Sequence, residues 1–227
     1  MTDTRRLDLT LPDGTAVAAI ATEPRLSEAP LAAYVFAHGA GAGMEHAFME
    51  DVAQGLARRR IACLRYQFPS MQAGKRRVDS PATAHATVRA AVALARQLWP
   101  VTPLFAGGKS FGGRMSSQAQ ALSPLPGVRG LVFLGFPLHP AGKPSVARAE
   151  HLAAVQIPML FIRGSRDALA EAGPYASMQA DLAGMASSVD IAGADHGFAV
   201  LRRSGRTDAE ALGEALDAMR AWVQRQR

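Results

Sequence analysis

A serine set between glycines, an aspartate and a histidine follow one another along this chain: Gly108-Lys109-Ser110-Phe111-Gly112, then Gly164-Ser165-Arg166-Asp167, then Asp195-His196-Gly197-Phe198. A serine hydroxyl is a poor nucleophile until a base takes its proton, and an imidazole does this well only when a carboxylate orients it. Ser110, His196 and Asp167 are therefore candidates for nucleophile, base and orienting acid in an acyl transfer. Asp195 is the alternative acid. Adjacent residues in a turn point apart, however, and the acid must reach the far ring nitrogen, so Asp167 is preferred. The tetrahedral intermediate of acyl transfer also needs two aligned N–H donors for its oxyanion. Phe111, directly after the nucleophile, offers one. The small-residue stretch His38-Gly39-Ala40-Gly41 offers the other, with Ala40 chosen ahead of Gly41. His38 is expected to brace that loop rather than do chemistry.

Rival chemistries fit less well. Gly108-Lys109-Ser110 resembles the end of a phosphate-binding P-loop, but that motif needs a glycine where Pro103 stands. The single cysteine, Cys63, lies in an apolar run and reads as core. No spacing of His, Asp or Glu points to a metal, so no metal or cofactor is expected.

These residues need elements to hold them. Segments 5–11 and 16–21 flank the turn Pro12-Asp13-Gly14-Thr15 and read as a hairpin. Segment 32–37 is wholly apolar, as a strand buried on both faces should be. Further strands are expected at 61–66, 104–106, 128–135, 158–163 and 187–192. Between them, helices are expected at 45–59, from Ser80-Pro81 to about Leu98, from Ser110, at 173–182, and from the capping-box pattern at Thr207 and Glu210 to the end. Residues 67–79 read as a polar, basic loop. Strands alternating with helices imply a mostly parallel sheet, an antiparallel hairpin at its start and helices on both faces. Active sites in such sheets lie beyond the carboxyl ends of the strands, where all four candidate stretches fall.

The whole chain has 227 residues, 48% hydrophobic and 19% charged, enough for one sizeable core. A single domain over 1–227 is expected. No apolar run reaches the roughly 18–20 residues of a membrane span. Residues 1–10 lack the apolar centre of a secretory signal, so a cytoplasmic protein without membrane partners is expected. The net charge of +6 raises nucleic acid as a partner. The basic residues occur in short clusters without interleaved aromatics, which reads as a solvated surface instead.

The strand–serine–helix pattern resembles the α/β-hydrolase fold. More narrowly it is similar to the small dienelactone-hydrolase-like proteins, a group related to the animal testis-expressed and chromatin-complex hydrolase-like proteins. The matching stretches are Phe36-Ala37-His38-Gly39-Ala40-Gly41-Ala42-Gly43-Met44, Gly107 to Met115 around the serine, His139-Pro140-Ala141-Gly142-Lys143-Pro144, Asp195 to Phe198, and Ser204-Gly205-Arg206-Thr207. The resemblance implies the fold and a triad at Ser110, Asp167 and His196. It does not carry over dienelactone activity, because dienelactone hydrolase itself uses a cysteine where Ser110 stands.

The expected function is hydrolysis of a small carboxylic ester or thioester, the alternatives being acyl transfer by the same triad or a non-catalytic binding or scaffold role, with a small molecule the only partner implied. Met44, His46, Leu138, His139, Lys143 and Phe198 are expected to line the substrate pocket because they follow strand ends. The 22 residues 136–157, where this fold commonly inserts a lid, hold room for one short helix near 146–154 and no lid domain.

Overall fold

Strands β1 (Thr2–Thr10) and β2 (Ala16–Pro24) pair antiparallel through the expected turn. There follow β3 (Ala32–Ala37), α1 (Ala47–Arg58), β4 (Ile61–Tyr66), α2 (Pro69–Gln72), α3 (Pro81–Leu98), β5 (Leu104–Lys109), α4 (Phe111–Leu122), β6 (Val128–Leu134), β7 (Met159–Gly164), α5 (Ala172–Asp181), β8 (Ala186–Ile191) and α6 (Asp208–Arg225). This computed structural model describes residues 2–25, 29–75, 77–182 and 184–226. Arg76 of the basic loop lies outside the described residues. Among them, no helix is long and apolar enough to cross a membrane.

The strands form one sheet in the order β1-β2-β4-β3-β5-β6-β7-β8, parallel from β4 to β8. The period-2 pattern sorts each central strand between two cores. Tyr34, Phe36, Phe105, Val132, Leu134, Leu160 and Ile162 face α1 and α6, where Leu56, Leu216, Met219 and Trp222 are buried. Ala33, Val35, Ala106, Leu131, Phe133 and Phe161 face α3, α4 and α5. Trp222 sets its ring edge-on to Phe105 with 5.8 Å between centroids. Cys63 is fully buried, and burial pushes its thiol up to about 12.

Helix starts carry the expected caps. Ser80 Oγ accepts from the Thr83 N–H, and Thr207 and Glu210 form a reciprocal capping box. The 67–79 loop contains the extra turn α2, which begins at Pro69. The 136–157 segment holds only a 3₁₀ stretch, Ala147–Ala154, and no lid.

Sheet order reverses at β3, which lies between β4 and β5. The loops leaving β3 and β5 therefore turn away from each other and open a crevice, the usual place for a site in an open α/β sheet.

Candidate active site

Ser110 fills the single position between β5 and α4, at φ 50° and ψ −113°. A side chain held there costs about 1–3 kcal/mol and persists only where the surroundings enforce it. Here they do. A Cβ on Gly112 would lie 2.4 Å from the Ala37 carbonyl oxygen, and one on Gly108 2.6 Å from that same atom. The backbones of β3, β5 and α4 thus meet with no space for a methyl group. Ser116 Oγ, 3.0 Å from the Gly107 carbonyl and 2.9 Å from that of Gly112, ties the two sides of the turn together.

Across the crevice the structure brings His196 and Asp167 to Ser110. His196 Nε2 is 3.0 Å from Ser110 Oγ, and Nδ1 is 2.8 Å from Asp167 Oδ2. A carboxylate at Nδ1 fixes the proton there and leaves Nε2 free to accept from the hydroxyl. The Asp167 side chain is 0% exposed and that of His196 26% exposed, so the carboxylate is sealed while the imidazole stays reachable. Burial pushes the Asp167 carboxyl up. The His196 hydrogen bond and charge, the Leu169 N–H and the Lys109 ammonium outweigh it and hold the group below its ordinary range. Asp195 is occupied by its own turn: Oδ1 accepts from the Gly197 and Ala199 N–H groups.

The loop after β3 passes Ser110 closely. A Cβ on Gly39 would lie 3.7 Å from that of Ser110. Among the described residues, no backbone carbonyl takes up the N–H of Ala40 or of Phe111. His38 is buried, with Nε2 accepting from the Phe68 N–H and Nδ1 directed at the Gly39 carbonyl. Burial lowers its pKa, which keeps the ring neutral and able to accept. Deeper support comes from Arg65, fully buried in β4, which donates to the Met44 carbonyl and pairs with Glu50 of α1.

A cavity of about 330 Å³ opens over Ser110 and His196, walled by Ala40, Ala42, Phe48, Met49 and Leu169 with His46 and Lys109 at its edge. Of the six residues expected to line it, only His46 does. Met44 is fully buried because the loop turns inward there, its N–H bonded to Gln67 Oε1. Leu138 and His139 are likewise buried, and both N–H groups bond to the Leu169 carbonyl. They hold a wall residue rather than form the wall. Phe198 is buried against Phe48, ring centroids 5.9 Å apart. Lys143 is exposed and does not line this cavity. The missed wall residues Phe48 and Met49 lie on the first turn of α1. That turn follows the Ala40 loop directly, which is the one sequence signal that could have marked them.

A second serine–histidine contact, Ser117 Oγ to His151 Nε2 at 2.7 Å, lacks the features of the first. Ser117 Oγ is also placed to donate to the Arg114 carbonyl. No carboxylate orients His151 among the described residues. Burial, with Arg114 and His85 adding to it, brings that imidazole down to about 4, too weak a base for the task. A larger cleft of about 480 Å³ between α1 and α6 contains none of Ser110, Asp167 or His196. No group of three or more metal-ligating side chains occurs among the described residues.

Comparison with known proteins gives one family match and several likenesses of fold. A family model described as an alpha/beta hydrolase domain matches residues 30–224. A serine hydrolase without a lid from Xanthomonas campestris is 20% identical with a TM-score of 0.75, covering 97% of this chain and 95% of that one. A dienelactone hydrolase from Anabaena variabilis is 17% identical with a TM-score of 0.75, over 99% and 98% of the two chains. Est1E from Butyrivibrio proteoclasticus, solved with ferulic acid bound, is 17% identical with a TM-score of 0.76, over 97% and 98%.

Proposed function

The chain belongs to the alpha/beta hydrolase domain family, and from that premise we propose that it is a serine hydrolase of small carboxylic esters or thioesters. The observation that carries the reading is the continuous chain from Ser110 Oγ through both nitrogens of His196 to a sealed Asp167. Within the family we read the chain as one of the small dienelactone-hydrolase-like members, with serine in place of cysteine.

The steps follow from the geometry. Ser110 Oγ attacks the acyl carbon as His196 Nε2 takes its proton. The Phe111 and Ala40 N–H groups hold the oxyanion, where each donor in such a site contributes roughly 3–4 kcal/mol. Collapse expels the alcohol or thiol, which takes the proton back from His196. A water molecule repeats the sequence on the acyl-serine and releases the acid. Asp167 stays ionised throughout and stabilises the imidazolium that forms twice per turnover. Water completes the cycle, so the mechanism calls for no cofactor.

The test is hydrolysis of p-nitrophenyl acetate, p-nitrophenyl butyrate and acetyl thioesters by the wild type and by Ser110→Ala. Turnover that Ser110→Ala abolishes supports the reading. Turnover that survives the substitution, or none with any of these substrates, rejects it.

A further inference from the structure

Lys109 fills the variable position of the elbow, directly before Ser110, and the steps above give it no task. Its side chain is half-buried and borders the cavity over Ser110. Nζ donates to the backbone carbonyl of His196 and lies 5.4 Å from the ring centroids of both Phe48 and Phe198. Below it is the end of β6: a Cβ on Gly135 would lie 2.7 Å from Nζ and 3.3 Å from the His196 ring. The ammonium is thus bordered by α1 (Phe48), the residue just after β6 (Gly135) and the loop after β8 (His196, Phe198). The charged groups acting on it are Asp167 from the loop after β7 and Asp195 from the loop after β8, and His46 borders the same cavity. Neither carboxylate forms an ion pair with it.

Burying an ammonium without an ion pair is costly, and an apolar side chain could fill the same box without that cost. What the charge adds is one charge-assisted hydrogen bond, roughly twice as strong as a neutral one. That bond runs from the backbone neighbour of the nucleophile to the backbone of the base. Resting on the serine-hydrolase reading, we propose that Lys109 is a positioning residue: its ammonium, boxed by Phe48 and Phe198, holds the His196 backbone so that the imidazole stays aligned between Ser110 and Asp167.

The hold weakens when the ammonium loses its proton. Burial brings Lys109 down to about 8, opposed by the charges of Asp167 and Asp195. Alignment is therefore firm below about pH 8 and relaxes above it. Stability moves the other way. A folded-state value below the ordinary 10.5 means that the protonated lysine costs stability in full below about 8, and the cost is relieved as pH rises toward 10.5. A residue that merely braces the fold would not set activity and stability in opposition.

The experiment follows the rate of Ser110 modification by a fluorophosphonate, and kcat and KM for p-nitrophenyl acetate, from about pH 6 to about pH 10, a range spanning the titration. It compares wild type, Lys109→Met and Lys109→Arg. The wild-type rate is expected to fall through a limb near pH 8. Lys109→Met should be about tenfold slower or more at neutral pH, mostly in kcat, because small misplacements of a catalytic group are expensive. It should lack the limb, and its Tm should be equal or higher. Lys109→Arg, which keeps the charge, should recover part of the rate and move the limb beyond the range. A Lys109→Met profile superimposed on the wild type overturns the proposal. So does a fall in Tm of more than about 5 °C, the mark of a structural brace. The downfield Nδ1–H proton signal of His196 gives a readout independent of turnover, expected in the wild type and lost in Lys109→Met. If the wild-type Ser110 is never modified, the hydrolase reading fails, and that signal alone judges the hold: unchanged in Lys109→Met, it overturns the proposal.

Discussion

Asp167 and Asp195 stand on the same side of His196 in sequence space but do different work. Asp167 is sealed and aimed at Nδ1, whereas Asp195 spends its oxygen on the turn that carries His196. Asp167→Asn should keep the fold and lower kcat by roughly 10³–10⁴, because an amide at that place favours the wrong imidazole tautomer. Asp195→Asn should cost about tenfold or less. Steady-state kinetics of the two variants decides between them, and the reverse ranking would show that the acid has been misassigned. That Ser110, Asp167 and His196 would meet was legible in the sequence because each follows a strand and because their chain order is the one this fold requires. The pocket walls were not. A residue after a strand end can turn into the core, as Met44 and Leu138 do, while Phe48 and Met49 look like any apolar pair on an amphipathic helix.

The elbow that sets Ser110 at the crevice exists because β3, β5 and α4 come together at two glycines. Gly112→Ala would drive a methyl into the Ala37 carbonyl, and overpacking of this kind costs about 1–3 kcal/mol. It should also depress the rate, since the backbone that must shift carries Ser110 and Phe111. Thr207→Ala removes one arm of the α6 capping box, far from the chemistry, and should cost about 1 kcal/mol with the rate preserved. Urea unfolding together with esterase assays separates the two; equal losses of activity would contradict the account of the elbow. Most elements were legible from apolar runs and period-2 alternation. The run of β5 through Gly107 and Gly108 was not, because glycine marks a turn on local grounds and only the pairing with β6, Gly107 opposite Val132 and Gly108 opposite Phe133, carries it on as strand. The short turn α2 was hidden in the same way by a polar, basic stretch.

At the scale of the molecule, the absence of a lid leaves the substrate little to bind beyond the reacting centre. The cavity, about 330 Å³, lies at the small end of the roughly 300–1,000 Å³ typical of ligand pockets. Extra methylenes would extend into water and add little transition-state binding. Acetate and butyrate esters should therefore exceed octanoate and palmitate esters in kcat/KM, and a maximum at octanoate or longer would reject the open-site argument. Lys75, Arg77 and Lys143 are all exposed, and Arg77 borders a crevice on the far side of the Ala40 loop. With these cations exposed and a net charge of +6, the field of the whole surface should raise kcat/KM at low salt for a substrate bearing a carboxylate, and the gain should fade as added salt shortens screening below about 8–10 Å. A gain that ignores salt would remove the basic surface from the account.

The central claim is that Ser110 is the nucleophile, and trypsin makes it unusually easy to test. Cleavage after Lys109 and Arg114 releases the peptide Ser110-Phe111-Gly112-Gly113-Arg114, in which Ser110 is the sole hydroxyl side chain. The measurement is mass spectrometry of this peptide after the native protein has reacted with a fluorophosphonate. The account predicts one stoichiometric adduct, on that peptide, lost in His196→Gln. An adduct on any other serine, Ser117 included, or none at all, would contradict it.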